Sequence, residues 1–352
     1  MTAAATGAEP VQKTPGTAGT RGAGKAPRRA RKQGATAGLL VTVTKRLSAL
    51  VLLMLATSFI VFSAMYLAPG SPESFLARGN SVTADTLQAI RDQYRLDDPF
   101  FERYLAWLGG IVTGDFGQSL QFRQPVGDLI ASRVATTGFL VAYSFALILA
   151  SGIVIGVVAA VKRGKVDSAA IIATTVAMGT PAFVMAIGLT SLFAVTLGWF
   201  PAFGAGEGLF GRIQHLTLPA VALALSSAAL VARATRSSML AELGKEYVET
   251  ARVRGIPQRR IIWRHAFRNA LVPVVTLAGL VVSGLLVTTT LVETAFGLNG
   301  MGSLLVQSVN AKDFPVTQAI VLIIVGVFAL CNLLVDLIYP LVDPRVRGKV
   351  GA

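Results

Sequence analysis

The chain has 352 residues, of which 53% are hydrophobic and only 14% charged, with a net charge of +14 and a positive mean hydropathy. That balance excludes an ordinary soluble domain and indicates an all-α integral membrane protein. One cysteine, Cys331, and two histidines, His215 and His265, leave no disulfide framework and no cysteine or HExxH zinc site.

Residues 1–44 are rich in Ala, Gly, Thr, Pro, Arg and Lys without apolar periodicity, so they are expected to be a disordered basic tail. They lack the apolar core of a secretory signal. Arg28, Arg29, Arg31 and Lys32 fit a solvated tail that helps to fix topology. A membrane domain follows over residues 45–348. Charge-free runs at 47–72, 134–161, 168–206, 216–232, 269–292 and 314–335 are compared with the roughly 20 apolar residues a spanning helix needs. They predict six spans at about 47–69, 136–161, 169–198, 216–232, 270–292 and 315–339.

Between the first two spans, a loop at 70–133 carries two predicted helices. One is capped by Thr83 and holds Leu87, Ile90 and Tyr94; the other places Phe100, Phe101, Tyr104, Leu105 and Leu108 on one stripe. The stripe can pack on the spans or bind a partner. Gly114-Asp-Phe-Gly117 then permits a tight turn at the membrane edge. The long third run contains Pro181, read as a kink within one helix that leaves through the aromatic Trp199, Phe200 and Phe203. In the fourth, Pro219 is read as lying in the first turn, where its missing N–H is harmless.

The segment 233–268 is polar and strongly patterned. Leu240, Leu243, Tyr247 and Ala251 recur at helical spacing, with Glu242, Glu246, Glu249 and Arg252 off that stripe. Gly255 is expected to end a helix in the left-handed conformation, and Pro257 to delay the next one until about Gln258. That second helix would carry Ile261, Ile262, His265 and Asn269 on one side before entering the membrane. In the last span, Asn332 and Asp336 lie four apart and could make a polar contact with a neighbouring span.

Orientation follows from the basic residues. Nine precede Leu47, three lie at Lys162, Arg163 and Lys165, nine fall within 233–268 and three are Arg345, Arg347 and Lys349; the other side holds eight. This bias predicts both termini in the cytoplasm. The positive charge is then topological, and no nucleic-acid partner is expected.

The segment Glu249-Thr-Ala251 followed after three residues by Gly255 resembles the Glu-Ala-Ala-x-x-x-Gly signature of permease subunits in bacterial ABC importers. The stretch His265-Ala-Phe-Arg268-Asn269-Ala-Leu271-Val-Pro273 has the later proline of the peptide and nickel branch. Further similarities to the first of that branch's two permeases are Arg95-Leu-Asp-Asp-Pro99, Gly114-Asp-Phe-Gly117 with Ser119, Gly198-Trp-Phe-Pro201, Glu293-x-x-Phe296-Gly297 and Asn332-Leu-Leu-Val-Asp336. Leu298-Asn299-Gly300 departs from the usual Pro-Gly pair.

The resemblance implies a type I importer permease fold and a multi-pass location in the bacterial cytoplasmic membrane. It implies that Glu246, Tyr247, Glu249, Thr250, Ala251 and Gly255 form a coupling helix and turn docked on a separate ATPase, supported by His265, Arg268, Asn269 and Pro273. In that picture the apolar stripe docks and the small Ala251 lets the ATPase approach. It further implies a second permease, two ATPase subunits or one two-headed ATPase, and an extracytoplasmic substrate-binding protein. ATP and Mg would sit on the ATPases, since this chain has no Gly-x-x-x-x-Gly-Lys-Ser/Thr motif; no catalytic residue, cofactor or metal is expected on it. Peptides are the expected cargo, with nickel or another small solute as alternatives. An ion-coupled transporter or channel is the competing class, disfavoured because the spans carry almost no ionisable groups.

Overall fold

The computed structural model describes residues 28–67, 88 and 97–342. Ten helices follow in chain order among them: α1 (Arg28–Leu67), α2 (Phe100–Thr113), α3 (Val126–Val161), α4 (Lys165–Gly179), α5 (Ala182–Leu189, continued by a π-helical turn Thr190–Thr196), α6 (Gly208–Leu243), α7 (Glu246–Val253), α8 (Gln258–Ala295), α9 (Met301–Asn310) and α10 (Phe314–Val342). There is no strand among the described residues, only an isolated bridge between Gln118 and Pro125. Five helices are long and apolar enough to cross a membrane, and α4 with α5 makes a sixth if the bent pair is one span.

The chain divides into the units Met1–Lys45 and Arg46–Ala352. Within the first, helix is present from Arg28 onward, which corrects the expected disorder over residues 28–44; the segment before Arg28 lies outside the described residues. Ala, Arg, Lys, Gln and Leu there are good helix formers, and no proline interrupts them.

Within the second unit, α3 and α6 form the central pair. A Cβ at Gly152 would come within 2.8 Å of Val231, and one at Gly156 within 2.5 Å of Thr235 Cβ and the Ala232 carbonyl. Opposite them, α6 buries Ala224, Ala228 and Ala232. Small residues on both sides let the backbones approach closely, the packing that replaces the hydrophobic effect where the solvent is lipid. Gly279 plays the same part where α8 meets Val335 of α10.

Two span expectations need correction. The predicted single helix over 169–198 is two helices meeting at 103°. Thr180, held extended at φ −99° and ψ 120° ahead of Pro181, interrupts the ladder outright, as pre-proline sterics favour. The fourth span begins at Gly208 instead of about 216, so Pro219 lies inside α6 and not in its first turn. No proline lies between Gly208 and Leu218 to break the helix.

The expected Thr83-capped helix falls almost wholly outside the described residues. The second loop helix, α2, stacks its aromatics on α1: Phe62 lies 5.4 Å from Phe100, 5.5 Å from Tyr104 and 5.4 Å from Trp107. Ser58 and Tyr104 hydroxyls pair at 2.9 Å. The predicted stripe is therefore split, Phe100 and Tyr104 packing while Phe101 and Leu105 stay exposed. After α2, Gly114 turns the chain at φ +85°. The following loop is tied to the start of α10 by Ser119, whose hydroxyl donates to buried Asp313 at 2.5 Å, and by the Gln121 N–H at 3.1 Å. Asn332 donates to its own helix at the Phe328 carbonyl (3.0 Å), not to a neighbouring span, a local side-chain-to-backbone bond open to any asparagine in a helix. The Asp336 side chain lies outside the described residues.

Candidate functional site

The polar segment folds as two helices around a sharp turn. α6 ends at Leu243, and Gly244 and Lys245 lead into the eight-residue α7. Gly255 has φ +73°, its N–H donates to the Arg252 carbonyl (2.9 Å), and the Ile256 N–H reaches back to Ala251 (3.1 Å). This is the left-handed helix end that the glycine predicts. Pro257 then stands at the N-cap of α8, which starts at Gln258 as the sequence indicates.

The inward face of α7 differs from the expectation. Val248 and Ala251 are buried, Ala251 to 7% exposure, in a small cluster with Ile261 and Ile256. Ala251 therefore packs on this chain's own α8. Leu240 and Leu243 belong to the end of α6 and pack with Met239, Ile262 and Ala266. The break at Gly244 and Lys245 divides the expected stripe between two helices, each with its own apolar cluster. The free face of α7 is instead made by Glu246, Glu249, Thr250, Arg252 and Val253, the last 85% exposed. It is mixed in charge, with Glu246 and Glu249 in the first turn and Arg252 in the last, the order that suits the helix dipole.

Tyr247 joins three elements. Its hydroxyl donates to Glu242 of α6 (2.7 Å) and accepts from the Asn269 amide of α8 (3.3 Å). Lys245 forms an ion pair with the same Glu242. Burial, and behind it the Glu242 hydrogen bond, raises the phenol above its ordinary range. A second tie to α6 is made by Arg236, whose guanidinium meets Asp167 of α4 in a two-pronged pair at 2.5 and 2.6 Å. Of the supporting residues, Asn269 joins this network directly. His265 is half-buried in the π-helical turn Ile261–Ala266, Arg268 is exposed, and Pro273 lies inside α8.

A second polar constellation, flagged by the sequence only as Glu293-x-x-Phe296-Gly297, lies at the other end of α8. The Glu293 carboxylate is fully buried and accepts from the Thr137 hydroxyl (2.6 Å) and the Ser303 N–H (3.0 Å), while Thr137 accepts from the Met301 N–H (2.8 Å). A carboxylate from α8 thus caps the N-terminus of α9, where four backbone donors lack helical partners. A Cβ at Gly300 would land on that carboxylate, and one at Gly302 would come within 2.5 Å of Thr290 Cα. The departure at Leu298-Asn299-Gly300 is accommodated, with Leu298 buried and Gly297 at φ +59°.

An apolar cavity of about 270 Å³ lies between α3, α4 and α6. Its two hydroxyls, Ser151 and Thr174, donate to their own helices at Leu147 (2.6 Å) and Ile171 (3.0 Å). No charged side chain lines it. No group of three metal-ligating side chains occurs among the described residues.

Residues 152–348 match the family described as binding-protein-dependent transport system inner membrane component, and residues 39–141 match its N-terminal companion. A protein of Brucella abortus (strain 2308) that carries a peptide transport system permease name is 38% identical over 309 residues, 87% of this chain and 98% of its own. The glutathione transport system permease protein GsiC of Escherichia coli (strain K12) is 36% identical over 312 residues, 88% of this chain and all of its own. Among solved structures, an inward-facing MetNI methionine ABC transporter aligns with a TM-score of 0.51 at 18% identity, covering 61% of this chain and 96% of that one, which is likeness of fold.

Proposed function

Because the chain belongs to the family of binding-protein-dependent transport system inner membrane components, we propose that it is one of two permease subunits of an ATP-driven importer of peptides, coupled to its ATPases through α7. In this reading the bent pair α4 and α5 is one span, six spans cross the bacterial cytoplasmic membrane and both termini lie inside. A second permease completes the path, two ATPase subunits or one two-headed ATPase bind the cytoplasmic face with ATP and Mg, and an extracytoplasmic protein delivers cargo. Peptide cargo is supported by the names of the relatives, one peptide and one glutathione permease.

The single observation that carries the coupling assignment is the construction of α7. It is short, its outer face is free, and its inner face and both ends are tied to α6 and α8 by the Val248, Ala251 and Ile261 cluster, by Tyr247 and by the Gly255 turn. A body so held moves with the spans when pushed and transmits little slack. Gly255 and Pro257 set the angle between lever and span, and Glu293 with Thr137 holds the far end of α8 against α3. The ATP dependence is tested by reconstituting the chain with the ATPase and permease that co-purify with it. Peptide uptake that requires ATP and the binding protein is expected; ATP-independent uptake driven by an ion gradient would overturn the reading.

A further inference from the structure

A second surface on the same face is unlike the mixed-charge face of α7. Arg254, Arg259, Arg260, Arg264 and Arg268 are all exposed. No acidic residue occurs between Glu249 and Glu293, and no ion pair neutralises any of the five among the described residues. In their midst Trp263 is 53% exposed and stands edge-on to Phe267, with ring centroids 5.1 Å apart.

The opposite side of the same turns is committed, since Ile261, Ile262, Ala266 and Ala270 are buried in this chain. The helix then runs unbroken into the apolar part of α8. At 1.5 Å per residue, Arg268 and Arg264 lie about 5 and 10 Å along the axis from Leu271, where the apolar run begins. That is the depth of the headgroup layer, within reach of an arginine side chain, and it is where amphipathic aromatics such as Trp263 settle.

We infer that the outer face of residues 263–268 is a binding site for anionic phospholipid headgroups of the inner leaflet, held by Arg264 and Arg268 and bordered by Trp263. Guanidinium groups meet phosphate oxygens in a two-pronged geometry that an ammonium cannot copy. Lipid is favoured over an acidic protein face because the charge sits on the spanning helix itself, at headgroup depth and beside an interfacial tryptophan. The inference uses the proposed orientation of α8. It adds a dependence of transport on anionic lipid, exerted on the helix that follows the α7 turn.

The test uses the whole complex with its ATPases, reconstituted in vesicles of phosphatidylcholine alone or with phosphatidylglycerol. Brominated phosphatidylglycerol is expected to quench Trp263 emission, read as the difference between wild type and Trp263→Phe, more strongly than brominated phosphatidylcholine. Arg264→Gln should weaken that preference, the removed charge lowering lipid binding about fivefold. ATP-driven uptake should rise with phosphatidylglycerol in the wild type and rise less in Arg264→Gln, with ATPase co-purification unchanged. Equal quenching by both lipids, or a variant that keeps its lipid preference, would overturn the inference. So would loss of ATPase co-purification with the lipid response intact, which would make the patch a protein contact. A complex that never requires ATP would instead defeat the importer assignment while leaving the quenching result to stand.

Discussion

Gly255 gives the sharpest handle on the α7 turn. Its φ of +73° is left-handed, and a Cβ built there meets nothing within 4 Å. Substitution therefore carries a backbone term and no packing term. For alanine that term is about 1–2 kcal/mol, enough to raise the population of an opened turn roughly five- to thirtyfold. Valine, β-branched, is worse at positive φ, whereas asparagine tolerates it. The Gly255 N–H bond to Arg252 and the Ile256 bond to Ala251 are the interactions released. The assay is peptide imported per ATP hydrolysed in proteoliposomes, paired with the rate of tryptic cleavage at Arg254 and Arg259. Coupling should fall in the order Gly, Asn, Ala, Val, and cleavage should rise in the same order. Four indistinguishable proteins, or an asparagine variant as poor as valine, would refute the reasoning.

Gly156→Leu should abolish a folded, detergent-stable protein, and Gly156→Ala should cost about 1–3 kcal/mol through overpacking against Ala232 and Thr235, read as a lowered Tm. Thr137→Val removes one donor to Glu293 and the acceptor for the Met301 N–H, so a loss of about 1–3 kcal/mol is expected, with faster hydrogen exchange confined to α9 and the preceding turn. Tyr247→Phe should lower coupling while leaving Tm nearly unchanged, because the hydroxyl is only partly shielded from water. The pH response of that contact follows in sign: a phenol raised in the folded state contributes below its ordinary value near 10 and loses that contribution as pH climbs through the raised value. Proteolytic protection of the loop should accordingly be flat through neutral pH and decline only in strong alkali; in Tyr247→Phe this decline should be missing.

Much of this architecture was legible because lipid imposes simple rules. Apolar runs of spanning length carried the helical fold, and Gly255 with Pro257 marked the turn between α7 and α8, since each has a local steric meaning. What escaped was set by tertiary contact. Periodicity placed Ala251 on an apolar stripe but could not say that the stripe faces Ile261 in the same chain, nor that Leu240 and Leu243 belong to the preceding helix. Pro181 was visible, yet a kink and a 103° break differ only in whether Thr180 leaves the helical region. The capping of α9 by Glu293 depends on Thr137, 156 residues away in sequence, and Ser119 finds its partner Asp313 across 194. No local pattern announces such pairings. The five arginines of 254–268 were equally plain as a run of charge, but their one-sided exposure beside Trp263 required the burial of Ile261 and Ile262 to be known.

The central claim, that the free face of α7 docks on an ATPase subunit, is most directly tested by cross-linking. In a Cys331→Ser background, single cysteines are placed at Thr250 and Val253, both exposed, and at Ala251, which is buried. A short thiol-to-amine reagent is then applied to the intact complex during ATP turnover. The account predicts adducts to the ATPase from positions 250 and 253 and none from 251. An active complex in which neither exposed position reaches the ATPase, or in which only position 251 does, would contradict it.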